Sequence, residues 1–512
     1  MKKFLKCIAI ASAMLFFTSC DYFYIVLPDD FYDPSIYESW EWPGELPGFN
    51  GGDSSSQTPG ASDNSSGDST IITPMPPVEA GDLTFTTTSF PNSLKKDGPL
   101  TQDSLPSIGS PKMLVIPVNL NSAKKTDKLL KDIQTTFSGT GKETGWESVE
   151  SYYEKSSYGK LHLDCVVMQE WFTPAKSAQY YEEYWDPYTG EEGSSLLVKE
   201  ALAYYESKLD LSEYDYDKDG YIDSVWLVYN HAVDRSGNAD FYWAYVTSVN
   251  DERTYDGVKA CSYAFGGTDF MYDAISYDPD SPVKLDAHTF IHETGHLMGL
   301  DDYYDYDWTT GAEGGMHNAD MMDGMIGDHG VISKMLLGWV TPTIVTGKGV
   351  GSYMLSSFTK SGQFLLISDH TITSIYDEYF LVEFYTNDGL NEWDQPILDD
   401  YFEVAEGIRI MHVDARFNYD EKGDVVWNEG TYYTGFRYDN SDTEKTFVEH
   451  LRADGKNPQG YLYAECLYTA NGKIFGTDHW SEYTYNSGSS LNFLLEVLAV
   501  QNGQCAVEIT LK

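Results

Sequence analysis

His292, Glu293 and His296 stand in the order HExxH, and Gly299 and Asp302 follow at regular spacing. On an α-helix, residues four apart share a face, one turn above the other. His292 and His296 therefore aim two imidazoles at one point, with the Glu293 carboxylate beside them. Two nitrogen ligands and a nearby carboxylate are what a hydrolytic zinc site needs. Gly299 lets the chain leave the helix sharply, because glycine tolerates positive φ at a helix C-terminus. After such a turn Asp302 can come back as a third ligand; Asp301 and Asp305 compete for that place. His288 shares the helical face, four residues before His292, but no glutamate stands beside it as Glu293 stands beside His292. A histidine in a first turn is more often a packing or surface residue, so His288 is left out of the site.

A second group of candidate ligands is Asp215, Asp217, Asp219 and Asp223, with Gly220 at the sixth position of the run. Alternating carboxylates around a glycine turn match the start of a calcium loop. The twelfth position is Trp226 and not glutamate, and a strand follows, so this is no full EF-hand. The competing reading is an acidic turn before a strand. Calcium is carried forward as a second candidate cofactor beside zinc.

The elements that must position these residues are legible in the hydrophobic pattern. Met113–Leu120, Leu161–Met168 and Val225–Tyr229 read as buried strands, and Ala123–Phe137, Val149–Tyr158 and Ser194–Leu209 as helices. Val331–Leu337 reads as a further helix after the segment Ala319–Gly324. Beyond Thr341 the character changes to alternating and aromatic runs separated by Gly, Asn and Asp: Gly351–Leu355, Gln363–Ile367, Tyr379–Tyr385, Gly407–Val413, Gly460–Leu467, Ser490–Val500 and Cys505–Leu511. The expected fold class is α+β: an α/β domain with a mixed sheet and an active-site helix, then a mostly β, sandwich-like C-terminal domain. The expected boundaries are 107–345 and 346–512.

The 512 residues carry 33 Lys+Arg against 80 Asp+Glu, a net charge of −47. Such a surface repels nucleic acid and anionic membrane and attracts cations. Residues 1–20 read as an export leader, with Lys2, Lys3 and Lys6 before an apolar run too short to span a bilayer. The leader ends in Phe17-Thr18-Ser19-Cys20, which resembles a bacterial lipobox and implies lipidation of Cys20. The competing reading is a plain cleaved signal with an incidental cysteine. Residues 21–106 read as an acidic, aromatic stretch and a Ser/Gly/Pro-rich flexible spacer. An anchor followed by a spacer would hold the folded part at the cell surface, facing outward from the cytoplasm. Of the cysteines outside the leader, Cys466 and Cys505 are candidates for pairing, with buried thiols the alternative for them and for Cys165 and Cys261.

Longer pieces agree with one family. The pattern HExxHxxGxxD, the later ADMMDG, SVESYYEKSSYGKLHLD (Ser148–Asp164), DYDKDGYIDSVWLVYN, KMLLGWV, EYFLVEF and EGIRIMHVD resemble the immune inhibitor A type of M6 metallopeptidases, in the order the family has them. The resemblance covers about 110–415 and implies membership of the metzincin class. It implies zinc held by His292, His296 and Asp302, with Glu293 as general base, Met322 as an apolar floor beneath the metal, and proteins or peptides as substrates. The family often has Trp where Ala319 stands and Pro where Asp301 stands; neither change removes a functional group. The expected activity is that of a surface-anchored or secreted zinc endopeptidase. The alternatives are an adhesin that keeps a protease-like scaffold, which the intact Glu293 opposes, and an HExxH hydrolase acting on a non-peptide bond. His317 and His329 flank the methionine turn and could approach the cleft, and Tyr303 or Tyr304 could stabilise an oxyanion.

Overall fold

Two of the three main sheets have central strands that are buried along almost their whole length, and the reason is that both faces of those sheets are covered. The structure, a computed structural model, describes residues 75–77, 79–90, 104–233, 235, 241–249, 252–305, 315–316, 319–324, 327–394, 406–419, 436–440, 445–455 and 464–512. The expected leader with Cys20, the spacer up to 74, and His317 lie outside the described residues. Among the described residues no helix is long and apolar enough to cross a membrane. The mixed helix and sheet content is that of an α+β protein.

A five-stranded sheet runs in the order Asp164–Val167, Lys112–Val118, Val225–Tyr229, Ser262–Gly267 and Tyr245–Ser248. The first four strands are parallel and the last is antiparallel. Side chains alternate between its faces. Met113, Val115, Trp226, Val228 and Ala264 enter one hydrophobic cluster. Leu114, Ile116, Val118, Leu227, Tyr229 and Phe265 enter another. Helix Gly193–Tyr205 covers the second face with Leu197, Val198, Ala201 and Leu202. The first face is covered by helices Asp127–Ser138, Val149–Ser156 and His288–Leu297. The starts of the first two are set locally: Thr126 accepts a hydrogen bond from the Leu129 amide, and Ser148 closes a capping box with Ser151.

A six-stranded sheet runs Leu83–Thr87, Thr343–Gly347, Phe364–Ile367, Glu378–Tyr385, Gly407–Asp414 and Val448–His450. Its two faces also serve different cores. Phe364, Leu366, Tyr379, Leu381, Met411 and Val413 join the cluster that holds helix His288–Leu297. Leu365, Ile367, Phe380, Val382, Ile408 and Ile410 join a cluster supplied from the other side by a four-stranded sheet, through Leu495, Val497, Val507 and Ile509. That sheet runs Gly349–Ser356, Gln504–Leu511, Phe493–Gln501 and Ile474–Phe475.

Three expectations need correction. Leu83–Thr87, inside the segment read as spacer, is a strand paired antiparallel with Thr343–Gly347. Its LTFTT pattern is short and its partner lies far along the chain, so no local signal reveals the pairing. In the run read as strand Gly460–Leu467, residues 461–463 and 460 lie outside the described set, and Ala464–Cys466 is a 3₁₀ turn. Cys466 and Cys505 are not joined; they are buried in different hydrophobic clusters. Burial pushes the Cys505 thiol up to about 12.

The sharing of the central cluster has a consequence for folding. A chain ending at residue 345 lacks Leu366, Tyr379, Leu381, Met411 and Val413, and leaves the facing apolar surface in water. Such a fragment is expected to lose its cooperative thermal transition, as followed by near-UV circular dichroism; a sharp two-state melt would contradict the shared core.

Candidate metal centre

Helix His288–Leu297 places His292 and His296 one turn apart, with their Nε2 atoms separated by 3.1 Å. The helix is fixed on several sides. The Tyr153 hydroxyl donates to the Ile291 carbonyl at 2.6 Å, and Trp226 Nε1 donates to Thr294 Oγ1 at 3.1 Å. The helix ends in a Schellman turn. Gly299 has φ +100°, its amide donates to the His296 carbonyl at 2.8 Å, and the Leu300 amide donates to the Gly295 carbonyl at 3.1 Å. This reversal brings Asp302 back beneath the helix. Asp302 Oδ1 lies 2.8 Å from His292 Nε2 and 3.2 Å from His296 Nε2.

The other nitrogen of each ring is spoken for. His292 Nδ1–H donates to the Met321 carbonyl at 3.0 Å, and His296 Nδ1–H donates to the Leu300 carbonyl at 2.8 Å. A backbone carbonyl only accepts, so each Nδ1 carries hydrogen and each Nε2 has its lone pair toward the shared point when the ring is neutral. Zinc bonds of about 2.0–2.2 Å in tetrahedral geometry put ligand atoms a little over 3 Å apart. Two imidazole nitrogens and one carboxylate oxygen at 2.8–3.2 Å fit such an ion in both chemistry and spacing.

Electrostatics agree. Burial by itself would raise the Asp302 carboxyl, but the charge of His296 and the hydrogen bonds from His292 and His296 hold it well below the usual carboxylate range. Burial by itself would lower His296, yet the Asp302 charge pushes it up to about 10. Metal binding at these donors is coupled to proton release. Glu293 is buried, and its charge reaches His296.

Among the described residues, Asp302 joins the two histidines within 4.8 Å, and Asp301, Asp305 and His288 do not. His288 is buried. Met322 is fully buried against the helix: a Cβ on Gly295 would lie 2.7 Å from Met322 Sδ. His329 is also buried under the helix, ringed by Tyr152, Tyr153 and Trp339, and is no part of the cluster. Tyr303 turns its hydroxyl into the core, 3.0 Å from Ser333 Oγ, which removes it as an oxyanion donor.

Asp320 is the residue that sequence reasoning missed. It is wholly buried and accepts from the Met322 amide at 2.9 Å, the Gly330 amide at 2.7 Å and the Ser333 hydroxyl at 2.9 Å. It thereby ties the turn Met321–Asp323, whose Met321 carbonyl holds His292, to helix Val331–Leu336. An aspartate just before a short turn is a capping signal, and that was the legible clue.

The acidic loop is partly assembled. Asp215, Asp217 and Asp223 have oxygens within 4.8 Å of one another, and Asp219 is outside that group. Asp215 accepts from the Asp219 and Gly220 amides at 3.1 and 3.2 Å, Asp223 from the Tyr216 amide at 2.9 Å, and Asp219 from the Tyr221 amide at 2.9 Å. These bonds also describe a plain acidic turn.

Residues 133–327 match the profile described as immune inhibitor A peptidase M6, catalytic domain. The chain carries a peptidase M6 domain. Similar proteins include immune inhibitor A of Bacillus thuringiensis subsp. alesti, 30% identical over 184 residues, which are 32% of this chain and 26% of that protein. Another is the pre-pro-metalloprotease PrtV of Vibrio cholerae serotype O1 (strain M66-2), 26% identical over 181 residues, 32% of this chain and 19% of that protein. The matches thus span about a quarter or less of the relatives' lengths. The peptidase M6 match contains His292, Glu293, His296, Asp302 and Met322.

The Schellman turn gives the peptidase M6 domain a point of test. Alanine at Gly299 would have to adopt φ +100°, which costs an L-residue about 1–2 kcal/mol. Gly299→Ala is expected to lower the unfolding free energy by that amount, read as a lower urea midpoint with an unchanged denaturant slope.

Proposed function

We propose that the chain is a zinc-dependent endopeptidase that hydrolyses peptide bonds of extracellular proteins. The observation that carries this reading is the convergence of three donor atoms, His292 Nε2, His296 Nε2 and Asp302 Oδ1, within 3.2 Å of one another in a peptidase M6 domain. In this reading His292, His296 and Asp302 hold zinc, which when bound polarises a substrate carbonyl and acidifies water. Glu293 takes the proton of the attacking water and passes it to the leaving amine. The Met321 and Leu300 carbonyls keep both imidazoles turned and neutral at Nε2. Met322 packs the underside of the helix and donates nothing to the ion.

The same proposal takes the catalytic fold as metzincin-like and residues 346–512 as a sandwich-like C-terminal domain; the cluster shared by the six- and four-stranded sheets supports the second point. Lipidation of Cys20, and attachment to a bacterial surface through that anchor, rest on the leader sequence. Glu293→Ala is expected to lower casein cleavage by about 10²–10⁴-fold while zinc content stays at the wild-type level. Chelation should abolish cleavage and added zinc restore it. Cleavage that survives Glu293→Ala sinks the endopeptidase reading.

Calcium at Asp215, Asp217 and Asp223 is a separate part of the proposal, with Asp219 turned to its own loop amide. Binding to the folded state would raise the melting temperature with calcium concentration, and Asp217→Ala would remove the rise. An unchanged melt returns the loop to a plain turn.

A further inference from the structure

Arg409 is a charged residue where the fold calls for an apolar one. It lies on strand Gly407–Asp414 and is 4% exposed, and its strand is buried throughout. Its cross-strand neighbour is Glu383, with Nη1 to Oε1 at 3.5 Å, and its guanidinium carbon stands 3.7 Å from the centre of the Tyr385 ring. Burying an ion pair gains little net stability over apolar packing, so stability alone gives weak reason for it. What Arg409 does that an apolar side chain could not is donate: Nη1 lies 3.3 Å from the Ala319 carbonyl. Ala319 is the residue that leads into the methionine turn. Asp320, next in the chain, clamps that turn to Gly330 and Ser333. Met321, one further on, offers the carbonyl that takes His292 Nδ1–H.

We infer that Arg409, with Glu383 as its counter-ion, is a positioning residue for His292. It acts from the β region through the backbone of residues 319–321. Without the donor at the Ala319 carbonyl, the turn keeps the Asp320 clamp and the backbone bonds from the Ala319 amide to the Met316 carbonyl and from the Tyr303 amide to the Met322 carbonyl. The Ala319–Asp320 peptide, however, loses its tie to the β region, and the Met321 carbonyl is held less firmly. The β region is then part of the metal centre's scaffold without supplying any of the three donor atoms. This inference rests on the reading of those donors as a zinc site.

The test uses the full chain with Arg409→Met and Glu383→Gln together, so that the Glu383 carboxylate is not left buried without Arg409. The first readout is amide hydrogen exchange of 319–324 in metal-free protein, which needs no zinc. The second is the zinc dissociation constant, measured by competition with a chromophoric chelator. The third is kcat and KM on casein-derived peptides. The expected result is faster exchange, a dissociation constant raised about 10–100-fold, and a fall in kcat with KM unchanged. Exchange and zinc affinity both within two-fold of wild type overturn the inference. If the double variant does not fold, Arg409→Lys, which keeps the charge, is read the same way. Its expected values lie between wild type and the effect above, and wild-type values overturn the proposal. Should the wild-type protein not bind zinc, the zinc reading fails, and the exchange result alone still decides the role of Arg409.

Discussion

Two imidazole nitrogens and a carboxylate oxygen are held within 3.2 Å of one another in a largely buried place, and much of the structure exists to tolerate that. Bringing such groups together costs desolvation, and the cost is offset only if each has a partner of opposite demand. Here Asp302 and the two histidines are those partners: the Asp302 charge pushes the His296 imidazole up, and the histidines hold the Asp302 carboxyl down. The chain reversal at Gly299 makes the meeting possible, and the carbonyls of Leu300 and Met321 decide which nitrogen of each ring faces inward.

The rest of the fold can be read as support for those two carbonyls and one helix. Helix His288–Leu297 packs between the five-stranded sheet and the turn that carries Met322, inside a hydrophobic cluster that also takes side chains from the six-stranded sheet. Each sheet sends its alternate side chains to a second cluster, so each is anchored from behind. A helix packed on two sides has little room to shift, and close-packed interiors have few voids to absorb strain and so transmit it. Gly295 shows how tight the fit is, since even a methyl group there would meet Met322.

Much of the site was legible because its geometry is local. The four-residue spacing of His292 and His296, the glycine at 299 and the aspartate at 302 are all set within one helix and one turn. The strands Lys112–Val118 and Val225–Tyr229 were legible because burial on both faces makes them continuous apolar runs. What escaped was non-local. Leu83–Thr87 becomes a strand only by pairing with Thr343–Gly347. Tyr303 lies beside the motif in sequence, but its hydroxyl is drawn inward by Ser333. Asp320 and Arg409 look like ordinary charges until the fold buries them against the turn that holds His292.

The central claim is that His292, His296 and Asp302 form one zinc site. Zinc-edge X-ray absorption on the purified protein, paired with anomalous diffraction at the same edge, tests it most directly. The expected result is one zinc per chain, with two imidazole nitrogens at about 2.0–2.1 Å and a carboxylate oxygen at about 2.0–2.2 Å, at the position enclosed by these three side chains. Sulfur among the ligands, an ion held by Asp301 or Asp305 in place of Asp302, or an anomalous peak at the Asp215–Asp223 loop alone would contradict it.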